Sequence, residues 1–221
     1  MIFIVGTDTD VGKTVVSALL LRAISERFPA TYWKPVQSGQ PGDTEVVARL
    51  CIGRSVDTLP PVYDLSLPAS PHASAAAEGV VLSTSVLEEA LSDWLRSEGP
   101  GRLVIELAGG LLVPYSLSTT QADWLARYAK QAGFVLVART ALGTLNHTLL
   151  TLEALRRREI EPAVVFLVGP EHRSNEETLR VLCRGPRVVH VPTFEPLAEA
   201  TLDRWIAGAN LIEPFEEVQR S

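Results

Sequence analysis

The sequence has little of what several common classes of protein require. Its 221 residues include only two cysteines, Cys51 and Cys183, whose spacing suits neither a disulfide framework nor a zinc site and fits a reducing cytosol. Its apolar runs fall short of the roughly 18 residues of a membrane-spanning helix, and no basic segment precedes the first of them at Ile2. Acidic side chains number 26 against 20 basic ones, which disfavours a broad nucleic-acid or membrane-binding surface. We therefore expect a soluble, cytoplasmic protein without a nucleic-acid or membrane partner.

Two hydrolase signatures are missing as well. No cluster of histidine, cysteine and carboxylate residues has the spacing of zinc ligands, and no Gly-x-Ser-x-Gly sequence is present. His147 follows a predicted strand, but a lone histidine is more often a hydrogen-bonded structural residue than a catalyst. Metal-dependent and serine hydrolases are therefore poor matches.

What the sequence does contain is a regular alternation of short apolar runs and helical patterns. Unbroken runs of Val, Ile and Leu are typical of buried parallel strands, and they predict strands at Phe3–Val5, Tyr32–Pro35, Leu103–Leu107, Phe134–Ala138, Ala163–Val168 and Val188–Val191. Apolar residues at helical spacing predict helices at Val15–Phe28, Asp43–Leu50, Val86–Leu95 and Leu145–Leu155. The alternation predicts an α/β fold, with residues 1–221 as a single domain that has a doubly wound, mostly parallel sheet and helices on both faces.

Two segments fall outside this alternation. The stretch Pro60–Ala77 contains four prolines and many Ser and Ala residues, which predicts a long surface excursion. The segment Glu213–Ser221 is polar enough to fray. Because ligands of doubly wound proteins bind beyond the carboxyl ends of the strands, the candidate functional residues are those at the strand ends.

The strongest motif lies directly after the first predicted strand. Residues 6–14 read Gly-Thr-Asp-Thr-Asp-Val-Gly-Lys-Thr and precede the apolar stretch Val15–Leu21. A strand, a loop ending in Gly-Lys-Thr and a helix form the context of a phosphate-binding P-loop, where backbone N–H groups and the helix dipole face one anion. We expect Lys13 to reach the outer phosphates and Thr14 to ligate magnesium. The match is offset, because the first glycine of the generic pattern falls on Thr7 and Gly6 stands one residue earlier.

Polar side chains also follow other predicted strands. Lys34 closes the second strand and Ser38 follows within one turn, so the pair could hold a second anion, unless Lys34 is a surface lysine that snorkels from the sheet edge. Asp43 opens a helical pattern and is either an N-cap or a magnesium ligand. Glu106 ends an apolar strand, where a metal would supply its counter-charge, unless the strand end is solvated. The glycines after Glu106 leave room for a ligand to approach the backbone.

Taken in order, these segments resemble the dethiobiotin synthetases, biotin-pathway ligases of the P-loop superfamily. The loop with its early Gly6 resembles that family's Gly-Thr-Asp-Thr-x-Val-Gly-Lys-Thr, and residues 34–39 resemble Lys-Pro-Val-x-Ser-Gly. Further matches follow in family order, at Ser70–His72, Glu78–Gly79, Glu106–Gly110, Leu142–His147 and Val191–Pro192. They extend from residue 6 to residue 192, which makes the resemblance far more specific than any single motif.

The resemblance implies an ATP-dependent ligase that forms C–N bonds. In that family 7,8-diaminononanoate takes up carbon dioxide as a carbamate, ATP phosphorylates the carbamate, and the second amine closes a cyclic urea. The resemblance further implies that Lys13 stabilises the transferring phosphoryl group and that Lys34 bridges this group and the carbamate. Ser38 is implied to hold the carbamate or the amines. The implied magnesium ligands are Thr14, Asp43 and Glu106.

The family pattern also implies the remaining contacts. The residues implied to bind the nucleotide are Asp10, Val11, Gly12, Lys13, Thr14, Val15, Asp43, Glu106, Leu107, Ala108, Gly109, Gly169, Pro170, Pro192, Thr193 and Phe194. Because the family is dimeric, the resemblance implies a homodimer in which Asn146 of one subunit reaches the substrate of the other.

The sequence departs from the family pattern at two places. Leu107 stands where the family usually has glycine, so the backbone there cannot use angles open only to glycine. Gly169 and Pro170 stand where many members have an Asn-Asp pair whose asparagine reads adenine; here only the backbone is offered, and Pro170 lacks an N–H. A site without that polar pair discriminates weakly among bases. We therefore expect relaxed nucleotide choice, with CTP, GTP or UTP competing with ATP.

Two other kinds of P-loop protein are weaker matches. A partition or metallochaperone ATPase, which dimerises on ATP to recruit partners, usually carries an extra lysine where this chain has Asp8. An amide-forming synthetase of the cobyrinate type needs a glutamine-hydrolysing domain with a nucleophilic cysteine. Neither Cys51 nor Cys183 lies in such a setting, and the chain is too short to add that domain. The ligase is the function we expect, with the ATPase switch as the alternative.

Overall fold

The alternating apolar runs fold as strands of one sheet with helices packed on both of its faces. The computed structural model describes residues 1–97, 101–209, 211–212 and 215. Its strands are β1 (Ile2–Gly6), β2 (Ala30–Trp33), β3 (Val36–Ser38), β4 (Val56–Leu59), β5 (Tyr63–Leu65), β6 (Arg102–Gly110), β7 (Gly133–Arg139), β8 (Val164–Val168) and β9 (Arg187–Val191). Its helices are α1 (Lys13–Ser25), α2 (Asp43–Leu50), α3 (Pro71–Ala77), α4 (Thr84–Arg96), α5 (Gln121–Leu125), α6 (Thr144–Arg156), α7 (Arg173–Leu182) and α8 (Glu199–Ile206), with a 3₁₀ turn at Ala126–Tyr128. Among the described helices, none combines the length and apolar character that crossing a membrane demands.

Within the described residues, seven parallel strands form the main sheet in the order β4-β2-β6-β1-β7-β8-β9. Strand β1 lies between β6 and β7, where Phe3 pairs with Ile105 on one side and with Phe134 on the other. The chain fills the β6 side before it crosses to the β7 side, as in a doubly wound sheet. The predicted α/β fold is therefore confirmed, and all strands of the sheet deliver their carboxyl ends to one edge.

Alternate residues of each strand point to opposite faces, and the apolar contacts divide into two cores accordingly. Phe3 and Val5 of β1 belong to the core that includes residues of α4, α5, α6 and α7. Ile2 and Ile4 belong to the core that includes residues of α1, α2 and α8. Glu106 on β6 is in step with Val104, which packs in the second core. Its carboxylate is therefore directed toward α1.

The structure contains several strands and helices that the pattern of apolar residues did not predict. Strand β4 lies at the sheet edge, and the polar residues Asp57 and Thr58 interrupt its apolar run. The stretch Pro60–Ala77, predicted as a surface excursion, instead contains β5, which pairs in parallel with β3, and helix α3. Pro71 occupies the first turn of α3, where its missing N–H costs no hydrogen bond. Helices α5, α7 and α8 are further additions to the predicted set.

The predicted frayed segment, Glu213–Ser221, lies outside the described residues except for Phe215. The side chain of Phe215 is buried in the core beside α1, together with Leu202 of α8. Phe215 therefore belongs to the apolar core on that face of the sheet.

Candidate nucleotide and substrate site

The loop between β1 and α1 depends on two glycines. At Gly6 a Cβ atom would lie 2.7 Å from the carbonyl oxygen of Gly109 and 2.8 Å from that of Asp8, which is closer than real Cβ atoms approach. Gly12 has a φ angle of 95°, and a Cβ atom there would lie 2.7 Å from the Val168 side chain. The offset of the sequence motif thus has a physical reason, because the loop packs against the β6 backbone at position 6.

Helix α1 begins at Lys13, which is two residues earlier than the predicted Val15. Its N-cap is Gly12, which has no side chain to occupy the N–H groups of the first turn. Those groups lack acceptors within the helix, and the helix dipole adds partial positive charge at the same point. This end of α1 therefore has the features of a phosphate-binding site.

Four side chains from separate elements meet beside this helix end. The Thr14 hydroxyl Oγ1 lies 2.7 Å from Asp43 Oδ1 and 3.0 Å from Glu106 Oε1. Lys34 Nζ donates a hydrogen bond to Asp43 Oδ2 and lies 3.6 Å from Glu106 Oε1. Three of the alternatives left open by the sequence are thereby decided. Lys34 is buried rather than snorkelling, the N-cap of α2 is Gly42 rather than Asp43, and Glu106 is buried within β6 rather than solvated at its end.

Burial and neighbouring charges set the protonation of the two lysines. Burial lowers the pKa of Lys13 to about 8, against the opposing effect of the Glu106 carboxylate. Burial also acts to lower the pKa of Lys34, but the carboxylates of Glu106 and Asp43 outweigh it and raise that pKa. The pKa of Asp43 is lowered because the Lys34 ammonium outweighs the effect of its burial. Lys34 is therefore held as a cation between two carboxylates.

A cleft of about 810 Å³ opens over these side chains. One side is formed by the P-loop, the start of α1, Glu106, Ala108 and Gly109, and the other by residues 37–41 and 68–71. The Ser38 hydroxyl is buried and has no hydrogen-bond partner among the described residues. A buried hydroxyl without a partner is costly, so this group is suited to a ligand in the cleft. Residues 68–71, which belong to the predicted surface excursion Pro60–Ala77, thus form part of the wall of the cleft.

The structure adds Gln37, a residue that the sequence motifs did not single out. Gln37 Oε1 accepts a hydrogen bond from the Asp43 backbone N–H at 3.1 Å, and its Nε2 donates to the Gly39 carbonyl at 3.0 Å. It thereby joins the loop after β3 to the first residue of α2. The side chain fixes where Asp43 enters the cluster.

Gln121 is a second such residue, and it acts on the opposite side of the P-loop. Its Oε1 accepts from the Ala108 N–H at 3.1 Å and from the Tyr115 hydroxyl at 3.2 Å. Its Nε2 donates to the carbonyls of Ala108 at 2.9 Å and Gly110 at 3.0 Å. These bonds hold the end of β6 against the cleft. No local pattern could have identified Gln121, because its partners are brought to it only by folding.

The structure does not bring every expected residue to this cleft. Asn146 lies exposed in the first turn of α6, outside the cleft lining. The residues expected near the base follow β8 and β9 and also lie outside the lining; they are Gly169, Pro170, Pro192, Thr193 and Phe194. The Gly169 carbonyl oxygen lies 2.8 Å from His190 Nε2, so its backbone already has a partner.

Two of the expected contact residues turn their side chains away from the cleft. Leu107 lies within β6, and its side chain is buried in the core on the sheet face opposite α1. Val11 in the P-loop is likewise buried, in the core beside α1. Only the backbone of either residue is therefore available to a ligand. Leucine in place of glycine at 107 fills a core position, at the part of β6 where its register with β1 shifts.

Comparison with solved structures and family models agrees with this fold. A model of the AAA domain family matches residues 1–201. The septum site-determining protein MinD from Pyrococcus horikoshii, solved in complex with Mg-ADP, is similar with a TM-score of 0.61 at 15% identity, over 91% of this chain and 84% of that one. The apo McdA structure from Cyanthece has a TM-score of 0.58 at 13% identity, over 98% and 96% of the two chains. At identities this low, the structural similarity shows a shared fold and nothing more.

Curated relatives match far more closely. The ATP-dependent dethiobiotin synthetase BioD of Rhodopseudomonas palustris is 43% identical over 211 residues, which cover 94% of this chain and 93% of that protein. The BioD protein of Brucella ovis is 40% identical over 221 residues, which cover 99% and 98% of the two chains. These matches extend over more than nine tenths of this chain and of each relative. The chain belongs to the family of ATP-dependent dethiobiotin synthetases, which are ligases.

Proposed function

We propose that one domain, residues 1–221, converts 7,8-diaminononanoate and carbon dioxide or bicarbonate into dethiobiotin, with cleavage of a nucleoside triphosphate to diphosphate and phosphate. The observation that carries the proposal is the convergence of two buried lysines, two carboxylates and a buried hydroxyl on one cleft; these residues are Lys13, Lys34, Asp43, Glu106 and Ser38. The family membership of the chain supplies the reaction.

The nucleotide phosphates are proposed to bind at the start of α1. The N–H groups of Gly12, Lys13 and Thr14 supply donors, and the Lys13 ammonium supplies a charge for the outer phosphates. Lys13 Nζ donates a hydrogen bond to the Asp8 carbonyl at 2.8 Å. That contact keeps the buried ammonium within the loop that is to receive the phosphates.

Magnesium suits the oxygen atoms beside this loop. Thr14, Asp43 and Glu106 offer a hydroxyl and two carboxylates, with both carboxylates within 3.0 Å of Thr14 Oγ1. Magnesium usually binds through one or two carboxylates, while phosphate and water oxygens complete its coordination. The described part of the chain has no group of three or more His, Cys, Asp or Glu that could hold a metal alone. When bound, magnesium would neutralise charge on the outer phosphates.

The acceptor is proposed to bind across the cleft from the phosphates. One amine of the diamine adds to carbon dioxide and loses a proton, which gives a carbamate anion. The buried hydroxyl of Ser38 donates a hydrogen bond to this carbamate. Lys34 lies between the carbamate and the phosphates. A carbamate oxygen needs no general base because it already carries charge, so orientation is the main demand on the protein.

Lys34 and Lys13 are the proposed catalytic residues. A carbamate oxygen forms a bond to the γ-phosphorus while the bond from that phosphorus to the β-phosphate oxygen breaks. Both lysines stabilise the negative charge on the transferring group. The second amine then attacks the carbonyl carbon, phosphate leaves, and the proton of the amine is released as the cyclic urea closes. The carboxylates of Glu106 and Asp43 raise the pKa of Lys34 despite its burial, which favours a charged ammonium at the cleft.

The base of the nucleotide is proposed to lie near the ends of β8 and β9, against Gly169, Pro170 and residues 192–194. These positions offer mainly backbone, and Pro170 offers no N–H. We propose that CTP, GTP and UTP compete with ATP, because a site without a matched polar pair discriminates weakly.

The assembly is proposed to be a cytoplasmic homodimer with a substrate site shared between subunits. Asn146 and Leu142 are exposed at the start of α6, and Leu142 is 100% exposed. The family resemblance carries this proposal, and the exposure of Asn146 and Leu142 leaves both side chains accessible to a second subunit. Sedimentation with Leu142→Asp as the disrupting variant tests this, and a wild-type monomer at working concentrations would contradict it.

A phosphate-release assay with diaminononanoate, bicarbonate, magnesium and each nucleotide tests the whole proposal. We expect release only when the diamine is present, with formation of dethiobiotin detected by mass. Release that does not depend on the diamine would overturn the ligase assignment. A preference for ATP above about 10³-fold in kcat/KM would overturn the relaxed nucleotide choice alone.

A further inference from the structure

The two carboxylate oxygens of Glu106 have different surroundings. Oε2 accepts hydrogen bonds from the Ser17 hydroxyl at 2.8 Å and the Tyr32 hydroxyl at 3.0 Å. Oε1 lies 3.0 Å from Thr14 Oγ1 and 3.6 Å from Lys34 Nζ. One oxygen is thus held from behind while the other faces the cluster at the P-loop.

The two donors to Oε2 come from rigid parts of the fold. Ser17 lies one turn into α1, beyond the P-loop, and Tyr32 lies on β2, the strand that pairs with β6. Both residues are fully buried, and neither lines the cleft. Neither side chain can therefore touch a ligand in that cleft directly. Any influence on the reaction must pass through the carboxylate of Glu106.

We propose that Tyr32 and Ser17 are positioning residues that fix the plane of the Glu106 carboxylate so that Oε1 is the oxygen offered to a divalent cation. The inference rests on the proposed magnesium site. A carboxylate with donors on both sides of one oxygen loses the freedom to rotate about its terminal bond. Groups that orient metal ligands in this way typically change metal affinity by about 10- to 100-fold when they are removed.

The competing explanation is that the two hydroxyls only satisfy a buried charge. A buried carboxylate without hydrogen bonds is costly, so loss of either donor would lower stability under both explanations. The two explanations differ in what they predict for the cation. Positioning changes the contribution of magnesium to nucleotide affinity, whereas charge satisfaction alone does not.

The test is calorimetric titration of ADP into the full-length protein, with magnesium chloride and with EDTA, for wild type, Tyr32→Phe, Ser17→Ala and the double variant. The matched control is Tyr63→Phe, which removes a hydroxyl that accepts from the Ser83 N–H, away from Glu106. We expect the ratio of the two ADP affinities to fall about tenfold in the double variant and by less in each single variant. The affinity in EDTA and the ratio for Tyr63→Phe should stay within about twofold of wild type.

Two results would overturn the inference, and they are distinguishable. If wild type shows magnesium-enhanced affinity and the variants keep the same ratio with lower melting temperatures, the hydroxyls are structural only. If wild type itself binds ADP equally well in magnesium and in EDTA, the proposed magnesium site fails and the inference fails with it. Ser17→Ala removes the smallest group and serves if Tyr32→Phe does not fold.

Discussion

The two ends of helix α1 each hold a cluster of charges around a buried cation, and the clusters differ in what they leave open. At the N-terminus, Thr14 and Lys34 meet two carboxylates beneath an 810 Å³ cleft. Toward the C-terminus, Arg22 is only 3% exposed and binds both carboxylate oxygens of Asp203, at 2.8 Å and 2.6 Å. Its remaining Nη1 donates to the Leu50 carbonyl at 2.6 Å.

The difference lies in the type of cation. A guanidinium is a rigid fork that matches one carboxylate, whereas an ammonium is a point charge on a flexible stem. The Arg22 cluster is closed and ties α1 to α2 and α8. The Lys34 cluster can exchange partners when phosphates and a cation arrive. The comparison predicts that substitutions at the first cluster reduce activity and that those at the second reduce stability.

The largest effect is expected for Lys34→Ala. Removal of a cation aimed at the transferring phosphoryl group should lower kcat by about 10³-fold, with a smaller change in KM. Steady-state kinetics measures both parameters, and circular dichroism melting checks that the variant folds. An unchanged kcat with a raised KM would mean that Lys34 only binds substrate. It would contradict the assignment of the first cluster to catalysis.

The next effect is expected at the opposite end of the helix, for Arg22→Met. Loss of Arg22 leaves the Leu50 carbonyl without its donor, whereas the half-exposed Asp203 keeps Arg54, so the free energy of unfolding should fall by about 2 kcal/mol. Urea denaturation measures this change. The kcat of the folded variant should stay within about twofold of wild type, and a large fall in kcat without loss of stability would show that the two clusters are not separate.

A smaller effect is expected for Gly6→Ala, which tests the loop that joins β1 to the first cluster. A Cβ atom at position 6 would lie 2.7 Å from the Gly109 carbonyl, so the backbone must shift. We expect nucleotide affinity to fall about tenfold, or about 1.4 kcal/mol. The control is Gly208→Ala, where the nearest atom is 3.7 Å from the new Cβ and affinity should not change. Equal affinities for the two variants would remove the steric explanation of the offset motif.

The two clusters also differ in how far the sequence predicts them. Most residues of the cluster at the cleft lie in apolar strands or close to their ends, and such local patterns are visible in the sequence. These residues are Lys13, Thr14, Lys34 and Glu106. Most of the sheet is predictable for the same reason, because buried parallel strands are continuous apolar runs.

Long-range polar contacts have no comparable signal. Ser17 and Glu106 are separated by 89 positions and Arg22 and Asp203 by 181, so only the folded chain pairs them. Glutamines such as Gln121 look like surface residues in the sequence but are buried by their backbone partners. Strand β4 and the wall at residues 68–71 escape prediction because their elements are short and interrupted by polar residues or proline.

The smallest effect is expected from a change of pH, and it concerns the charge of the Asp203 carboxylate, which is bound by Arg22. Hydrogen bonds from Arg22 lower the pKa of Asp203 below its ordinary value of 3.8, with further help from Arg54. A carboxyl whose folded pKa is depressed contributes stability that is fully present above the unfolded pKa and is lost as the pH falls through the folded pKa. The difference in unfolding free energy between wild type and Asp203→Asn should therefore shrink between about pH 7 and about pH 3.

The size of that change should be modest, because the Asp203 side chain is 38% exposed and solvent screens its charge. Urea denaturation of both proteins at the two pH values measures it. The unfolding free energy of Lys34→Ala, measured at the same two pH values, shows whether the cluster at the cleft has a different pH dependence from the Arg22 cluster. If the Asp203→Asn difference stays constant with pH, Arg22 stabilises the helix contact through its hydrogen-bond geometry and packing rather than through the carboxylate charge, and the closed cluster is then no longer an electrostatic counterpart of the open one.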